Sequence, residues 1–371
     1  MRPIALTGGG TGGHVFPLRA IAEALVEAGV DRDRLVVVGS ARGQEHVLLA
    51  DLGIELVLLP GRGIRRSLRP RALLQNLGAL ASLAAATCRG VVLVLRRRPR
   101  AVVSVGGYAA FAASLGAVLT GVPLVLVDLD AAPGLVHRIL RPFAVAIATA
   151  YPTTERRGVV TGTPVRDEIL AVQRTPAARD DARRRLGIAI DRPVVAVMSG
   201  SLGAWSVNDA VCDLAARWQQ AAPAMLYQVT GRRDADAVLE RQGRLGGGDD
   251  AWRVVGFEDR MADLWAACDV AVCRAGANTV AELCATGVPS VLVPLPTAPG
   301  AHQDANAAVL ADAGAAVVID DASLSADLLD ATLRALLADP DRLAAMSAAA
   351  LSLSRRDAAR RVAEVVLDHA S

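Results

Sequence analysis

The chain has 371 residues, 53% hydrophobic but only 3% aromatic, so Ala, Val and Leu must fill most of two domain-sized cores. All 40 basic residues are arginine; without lysine, Schiff-base chemistry, a P-loop lysine and a kinase lysine are excluded together. The net charge of +2 conceals an asymmetry: residues 1–165 carry 19 Arg against 10 acidic residues, the remainder 21 against 28. A basic first half points to an anionic partner, a membrane surface or nucleic acid.

Met1-Arg2-Pro3 runs straight into an apolar strand with no signal-peptide pattern, so the expected compartment is the cytoplasm. The five cysteines (Cys88, Cys212, Cys268, Cys273 and Cys284) sit in apolar runs without metal-type spacing and are expected as buried free thiols. After the strand at 4–7 comes Gly8-Gly9-Gly10-Thr11-Gly12-Gly13-His14, then a helical pattern over 18–28. A strand that turns through glycines into a helix gathers backbone N–H groups at one point and suits an anion. The spacing Gly8-x-Gly10-x-x-Gly13 also fits a dinucleotide fingerprint, but the second strand ends Val37-Val38-Gly39-Ser40-Ala41-Arg42, with no carboxylate for a ribose.

Short apolar runs at 4–7, 35–39, 56–59, 101–105, 124–127 and 145–148 alternate with helical patterns. The series restarts after Thr161-Gly162-Thr163-Pro164 with runs at 194–198, 225–230, 253–255, 270–273, 290–293 and 316–319. That pattern predicts an α/β protein of two doubly wound, Rossmann-like domains with parallel sheets. The expected boundaries are 1–160, 161–345 and a tail, 346–371, holding an amphipathic helix. Residues 101–127 carry no charge, but Gly106-Gly107-Tyr108 and Pro123 break the run, so a buried β-α-β unit is predicted rather than a membrane span. Between 62 and 100, Arg62, Arg65, Arg66, Arg69 and Arg71 precede an uncharged helix at 72–88, and Arg96, Arg97, Arg98 and Arg100 follow. Such a segment either packs as an ordinary helix or rests on an anionic bilayer.

In the second domain, Gly200-Ser201-Leu202-Gly203 follows a strand and can cradle phosphate. Further on, Gly276-Ala277 opens a helix after the strand ending at Cys273. Glu282 lies one to two turns in, where a carboxylate accepts two ribose hydroxyls. Gln303 and Asn306 share a helix face and can address sugar hydroxyls.

Taken in order, Gly9-Gly10-Thr11-Gly12-Gly13-His14, Gly106-Gly107-Tyr108, Pro164-Val165-Arg166, Gly200-Ser201-x-Gly203-Ala204, Arg274-Ala275-Gly276-Ala277-x-Thr279-Val280-x-Glu282 and His302-Gln303-x-x-Asn306 resemble the MurG family. Those enzymes move N-acetylglucosamine from UDP-N-acetylglucosamine to a polyprenyl-diphosphate-linked muramoyl-pentapeptide in peptidoglycan synthesis, and so serve cell shape and division. The resemblance implies a GT-B fold, with two domains facing across a cleft and the last helix crossing back to the first domain. It implies an inverting, metal-independent transfer by a protein peripheral on the inner face of the cell membrane, with segment 62–100 on the anionic surface and no nucleic acid as partner. Arg166, Ser201, Ala277, Asn278, Thr279, Val280, Ala281, Glu282, Gln303 and Asn306 would then contact the UDP-sugar. Backbone at Phe257 and Glu258 would hold uracil. Thr11, Gly12, Gly13 and Asp130 would approach the transferred sugar, with Gly9, Gly10, Gly107 and Tyr108 on the acceptor side.

His14 is the expected general base and Asp130 the alternative. The chain departs from the family at one place in particular. Val127-Asp128-Leu129-Asp130 stands where the family carries His-Glu-Gln-Asn, and His137 stands where it carries a further Asn; Thr163 and Leu202 replace an Asn and a Gln. Asp128-Leu129-Asp130 also has the D-x-D form of metal-dependent transferases, but helix N-termini and Arg166 already offset a diphosphate. The alternatives are a related GT-B transferase or epimerase with another sugar or acceptor, and a non-catalytic nucleotide-binding homologue.

Overall fold

The computed structural model describes all residues except 1, 10, 11, 42, 61–69, 201, 202, 220, 247–250 and 371; the side chains of 70–81, 83 and 299 are likewise set aside. Arg62, Arg65, Arg66 and Arg69, together with Gly10, Thr11 and Ser201, therefore lie outside the described residues. The chain divides into two compact units, 1–166 with 355–371, and 167–354.

The first unit is a seven-stranded sheet: β1 (Ile4–Gly8), β2 (Leu35–Ser40), β3 (Glu55–Leu59), β4 (Ala101–Gly106), β5 (Leu124–Asp128), β6 (Ala146–Thr149) and β7 (Gly158–Val160). Its order is β3-β2-β1-β4-β5-β6-β7, every pair parallel. Strands β1, β2, β4, β5 and β6 are buried along their whole length, as expected where helices cover both faces. The short edge strand β7, half exposed and preceded by Arg156-Arg157, has no apolar run to announce it and is absent from the sequence reading.

The uncharged stretch resolves as β4, a helix (Ala110–Thr120) and β5, the buried β-α-β unit predicted. The arginine-flanked segment forms one continuous helix, Pro70–Arg97, longer than the 72–88 expected. No helix among the described residues is long and apolar enough to cross a membrane. The last helix, Ala358–His369, packs on Gly12–Glu27 and over β4, β5 and β6.

The second unit is a six-stranded sheet: β8 (Val194–Met198), β9 (Met225–Val229), β10 (Trp252–Val255), β11 (Val270–Cys273), β12 (Ser290–Leu292) and β13 (Ala316–Val318). The order is β10-β9-β8-β11-β12-β13, again all parallel. All five thiols are free, four of them buried; Cys88 is the exception, exposed on the long helix. Burial pushes the thiols of Cys212 and Cys268 up to about 11, which keeps them protonated and inert near neutrality.

Gly90 fixes how closely the helices Pro70–Arg97 and Ala110–Thr120 approach. A Cβ there would stand 2.7 Å from the carbonyl carbon and oxygen of Ala112. Alanine would gain about 1 kcal/mol in helix propensity, but a methyl forced against rigid backbone costs about 1–3 kcal/mol. Gly90→Ala is therefore expected to lower the thermal midpoint of the protein; an unchanged or raised midpoint would refute this packing.

Candidate active site

In the first unit the site gathers at the C-terminal ends of β1, β4 and β5, where the strand order reverses between β1 and β4. Gly9 follows β1 with φ +133°, and Gly12 and Gly13 open the helix Gly12–Glu27. His14 is half-buried in the first turn of that helix. Its ring lies over the turn after β4, since a Cβ on Gly107 would stand 3.4 Å from both Nδ1 and Cε1 of His14. Tyr108 donates its hydroxyl to Ser40 Oγ at 3.1 Å, tying the β4 turn to the end of β2. Asp130, just beyond β5, is half-buried. Arg166, at the end of this unit's first segment, lays its guanidinium 4.3 Å over the Phe16 ring, so a cation–π contact orients it. Gly9, Gly12, Gly13, His14, Gly107, Tyr108 and Asp130 thus share one edge of one sheet.

A carboxylate does follow β2, at Glu45, three residues beyond Arg42. Glu45 is fully buried, and its Oε1 accepts the Ser40 N–H at 2.9 Å. Its side chain fills the space that a Cβ on Gly9, Gly39 or Gly43 would need, with clashes of 1.9, 2.9 and 1.7 Å. An acidic group packed beneath the glycine loop disfavours a phosphate directly on Gly9. Small residues at 39 and 43 followed by an acid were the available signal.

Asp128 does not face outward with Asp130. Its Oδ1 lies 2.6 Å from His137 Nδ1 and its Oδ2 3.1 Å from Arg141 Nη2, both contacts buried or nearly so. The first carboxylate of the D-x-D pattern is therefore engaged by His137 and Arg141. Among the described residues no group of three or more His, Cys, Asp or Glu could hold a metal ion.

In the second unit, Gly200 and Gly203 have positive φ, and their loop lies directly on Gly231, whose Cβ would stand 2.3 Å from Gly203 N. A buried polar network supports that loop. Ser199 Oγ donates to Asn208 Oδ1, and Asn208 Nδ2 donates to Thr230 O and Asp234 Oδ2. The helix Ala277–Thr286 starts after Gly276 in extended conformation, so the first-turn amides of Ala277, Asn278 and Thr279 point out along the axis. Glu282, 7% exposed, accepts the Trp265 indole N–H at 2.8 Å, which fixes the carboxylate. Phe257 is half-buried beneath the Arg232 guanidinium at 4.5 Å. The Glu258 carboxylate is turned inward to the Tyr227 hydroxyl and the Arg260 N–H, leaving only its backbone for a ligand.

Two of the sequence-derived contacts need correction. Asn306 is fully buried and donates Nδ2–H to Ala275 O at 3.0 Å, so it braces the loop before the helix instead of facing a sugar. Val280 has a core side chain, and its N–H is held by Gly276 O, so neither is presented to a ligand. Gln303 is half-buried, with Oε1 accepting the Leu295 N–H at 3.0 Å.

The chain matches the glycosyltransferase family 28 N-terminal domain over residues 4–149 and its C-terminal domain over 194–362. It is 39% identical to the UDP-N-acetylglucosamine--N-acetylmuramyl-(pentapeptide) pyrophosphoryl-undecaprenol N-acetylglucosamine transferase of Alkalilimnicola ehrlichii, covering 99% of each chain. With the protein of the same name from Nocardioides sp. it shares 38% identity, covering 98% of this chain and 97% of that one. Among solved structures, Acinetobacter baumannii MurG superposes with a TM-score of 0.73 at 25% identity, covering 99% of this chain and 100% of that one. A UDP co-structure of S. aureus MnaA shares the fold at TM-score 0.69 and 14% identity, over 98% and 95% of the two chains.

Removing the Asn306 amide strips a buried carbonyl of its donor, which costs about 1–3 kcal/mol. Asn306→Ala should lower the unfolding free energy by that amount, read as a lower urea midpoint at an unaltered denaturant slope; a midpoint within error of the parent would assign Asn306 no bracing role.

Proposed function

We propose, from the premise that this chain belongs to the MurG family within glycosyltransferase family 28, that it transfers N-acetylglucosamine from UDP-N-acetylglucosamine to the lipid-diphosphate-linked muramoyl-peptide, with inversion and without a metal. The observation that carries the donor half is the helix start at Ala277 beside a carboxylate, Glu282, locked by Trp265. Amides and a helix dipole there suit a diphosphate, and a fixed acceptor-only carboxylate suits paired ribose hydroxyls. The amides of Ala277, Asn278 and Thr279, with Ala281, Gln303, Ser201 and Arg166, make up the rest of the UDP-sugar site. Uracil lies on backbone at Phe257 and Glu258.

The acceptor hydroxyl attacks the anomeric carbon while His14 takes its proton. The bond from that carbon to the β-phosphate oxygen breaks, and UDP leaves with the electron pair. Arg166, Ser201 and the helix N-terminus stabilise the charge that develops on the leaving group. Thr11, Gly12, Gly13 and Asp130 bound the transferred sugar, and Gly9, Gly10, Gly107 and Tyr108 the acceptor. Asp130 is the alternative base.

The protein works at the inner face of the cell membrane without crossing it. Support comes from the long helix, where Ala84, Ala85, Cys88, Val92 and Leu95 are exposed alongside Arg89 and Arg96. An apolar stripe with arginines suits an anionic bilayer surface. Arg97 and Arg100 are engaged within the protein, by Glu55 and by the Ala370 carbonyl, and contribute less.

UDP release measured with the lipid-linked acceptor, in anionic vesicles, is expected to persist in EDTA. It should fall about 10²–10⁴-fold in His14→Ala with UDP binding retained. Full turnover in His14→Ala combined with loss in Asp130→Ala would reverse the base assignment, and abolition by EDTA would overturn the metal-free transfer.

A further inference from the structure

Ser104, Asp128 and His137 have no part in the transfer described above, yet they form a buried chain at the C-terminal edge of the first unit's sheet. They are 0%, 6% and 4% exposed. His137 Nδ1 lies 2.6 Å from Asp128 Oδ1, and His137 Nε2 lies 3.0 Å from Ser104 Oγ. An ionised carboxylate only accepts, so Nδ1 carries the hydrogen, and in the neutral ring Nε2 accepts the Ser104 hydroxyl. Arg141 lies 3.1 Å from the other Asp128 oxygen and is shared with Glu155 at 3.0 Å, so the carboxylate is held from both sides. The chain binds β4 to β5 and to the helix Leu135–Leu140 just where the β4–β5 ladder, last paired at Ser104 and Leu126, has run out.

What lies on top of this chain is the reacting edge. A Cβ on Gly106 would stand 3.5 Å from His137 Cε1 and also 3.5 Å from His14 Cδ2. Both imidazoles therefore border the same side of Gly106, around the space its missing side chain would fill, and the His14 ring also lies against Gly107. We infer that His137 is a positioning residue for His14: the Asp128–His137–Ser104 chain holds the Gly106-Gly107 turn at the level on which the His14 ring rests. This rests on the reading of His14 as the base.

The test uses the full-length protein, UDP-N-acetylglucosamine and the lipid-linked acceptor, with UDP affinity measured by calorimetry. Because displacing a reacting group by about 1 Å costs roughly 100-fold, His137→Asn and Asp128→Glu should each lower kcat by about 10–100-fold. KM for the sugar nucleotide and Kd for UDP should stay within about 2-fold. The double variant, Asp128→Glu with His137→Asn, should lose no more kcat than the worse single variant, the non-additivity expected of touching partners.

Single variants with parental kcat would overturn the inference. So would additive losses in the double variant, or a Kd for UDP that weakens in step with kcat, the signature of general destabilisation. His14→Ala run alongside separates the two readings. If it turns over fully, the base assignment is wrong and the inference falls with it; if it is inactive while the His137 variants are unimpaired, only this inference falls.

Discussion

In both sheets every strand runs the same way, and that constraint sets where chemistry can occur. Parallel strands deliver all their C-terminal ends to one edge, and most connections there lead into a helix whose N-terminal amides face the same edge. Glycine loops, helix starts and the side chains just beyond them are then gathered without any further device. His14 after β1, Gly107 after β4 and Asp130 after β5 meet for this reason alone, as do Gly203, Phe257 and Ala277 in the second unit. Buried, largely apolar strands such as Leu35–Ser40 and Val194–Met198 anchor those edges in the cores.

The lysine-free composition becomes intelligible at the level of bracing. Arg183 donates to the carbonyls of Ala267 and Ile190 and to Asp269 from one buried guanidinium. Arg274 likewise joins Val293, Pro294, Asp321 and Ser206. A planar fork with five donors can satisfy several loop carbonyls at once, which a single ammonium does less well. In the second unit, acidic overall, Arg183 and Arg274 thus serve as buried struts, while others such as Arg185 and Arg244 pair with carboxylates at the surface.

Much of this was legible in the sequence, because it depends on local pattern. Apolar runs of strand length located twelve of the thirteen strands, and glycines after strands located the loops. What escaped depends on partners far apart in the chain. Glu45 reads as an ordinary helix-start acid until Gly9, 36 residues earlier, is seen packed on it. Asp128 reads as half of a metal motif until His137 and Arg141 turn it inward. Asn306 shares a helix face with Gln303, as periodicity requires, yet the burial of that face at Asn306 is decided by Ala275. Spacing gives direction along an element; it does not give what stands opposite.

The division of labour between the units is the central claim: the nucleotide belongs to the helix start after β11, and the glycine loop after β1, with Glu45 beneath it, serves the reacting sugars. Amide hydrogen exchange with and without UDP tests it most directly. The account predicts added protection at residues 276–279 and near 203–204, with none in the Gly9–His14 loop. Protection confined to Gly9–His14, with the Ala277 helix start unchanged, would contradict it.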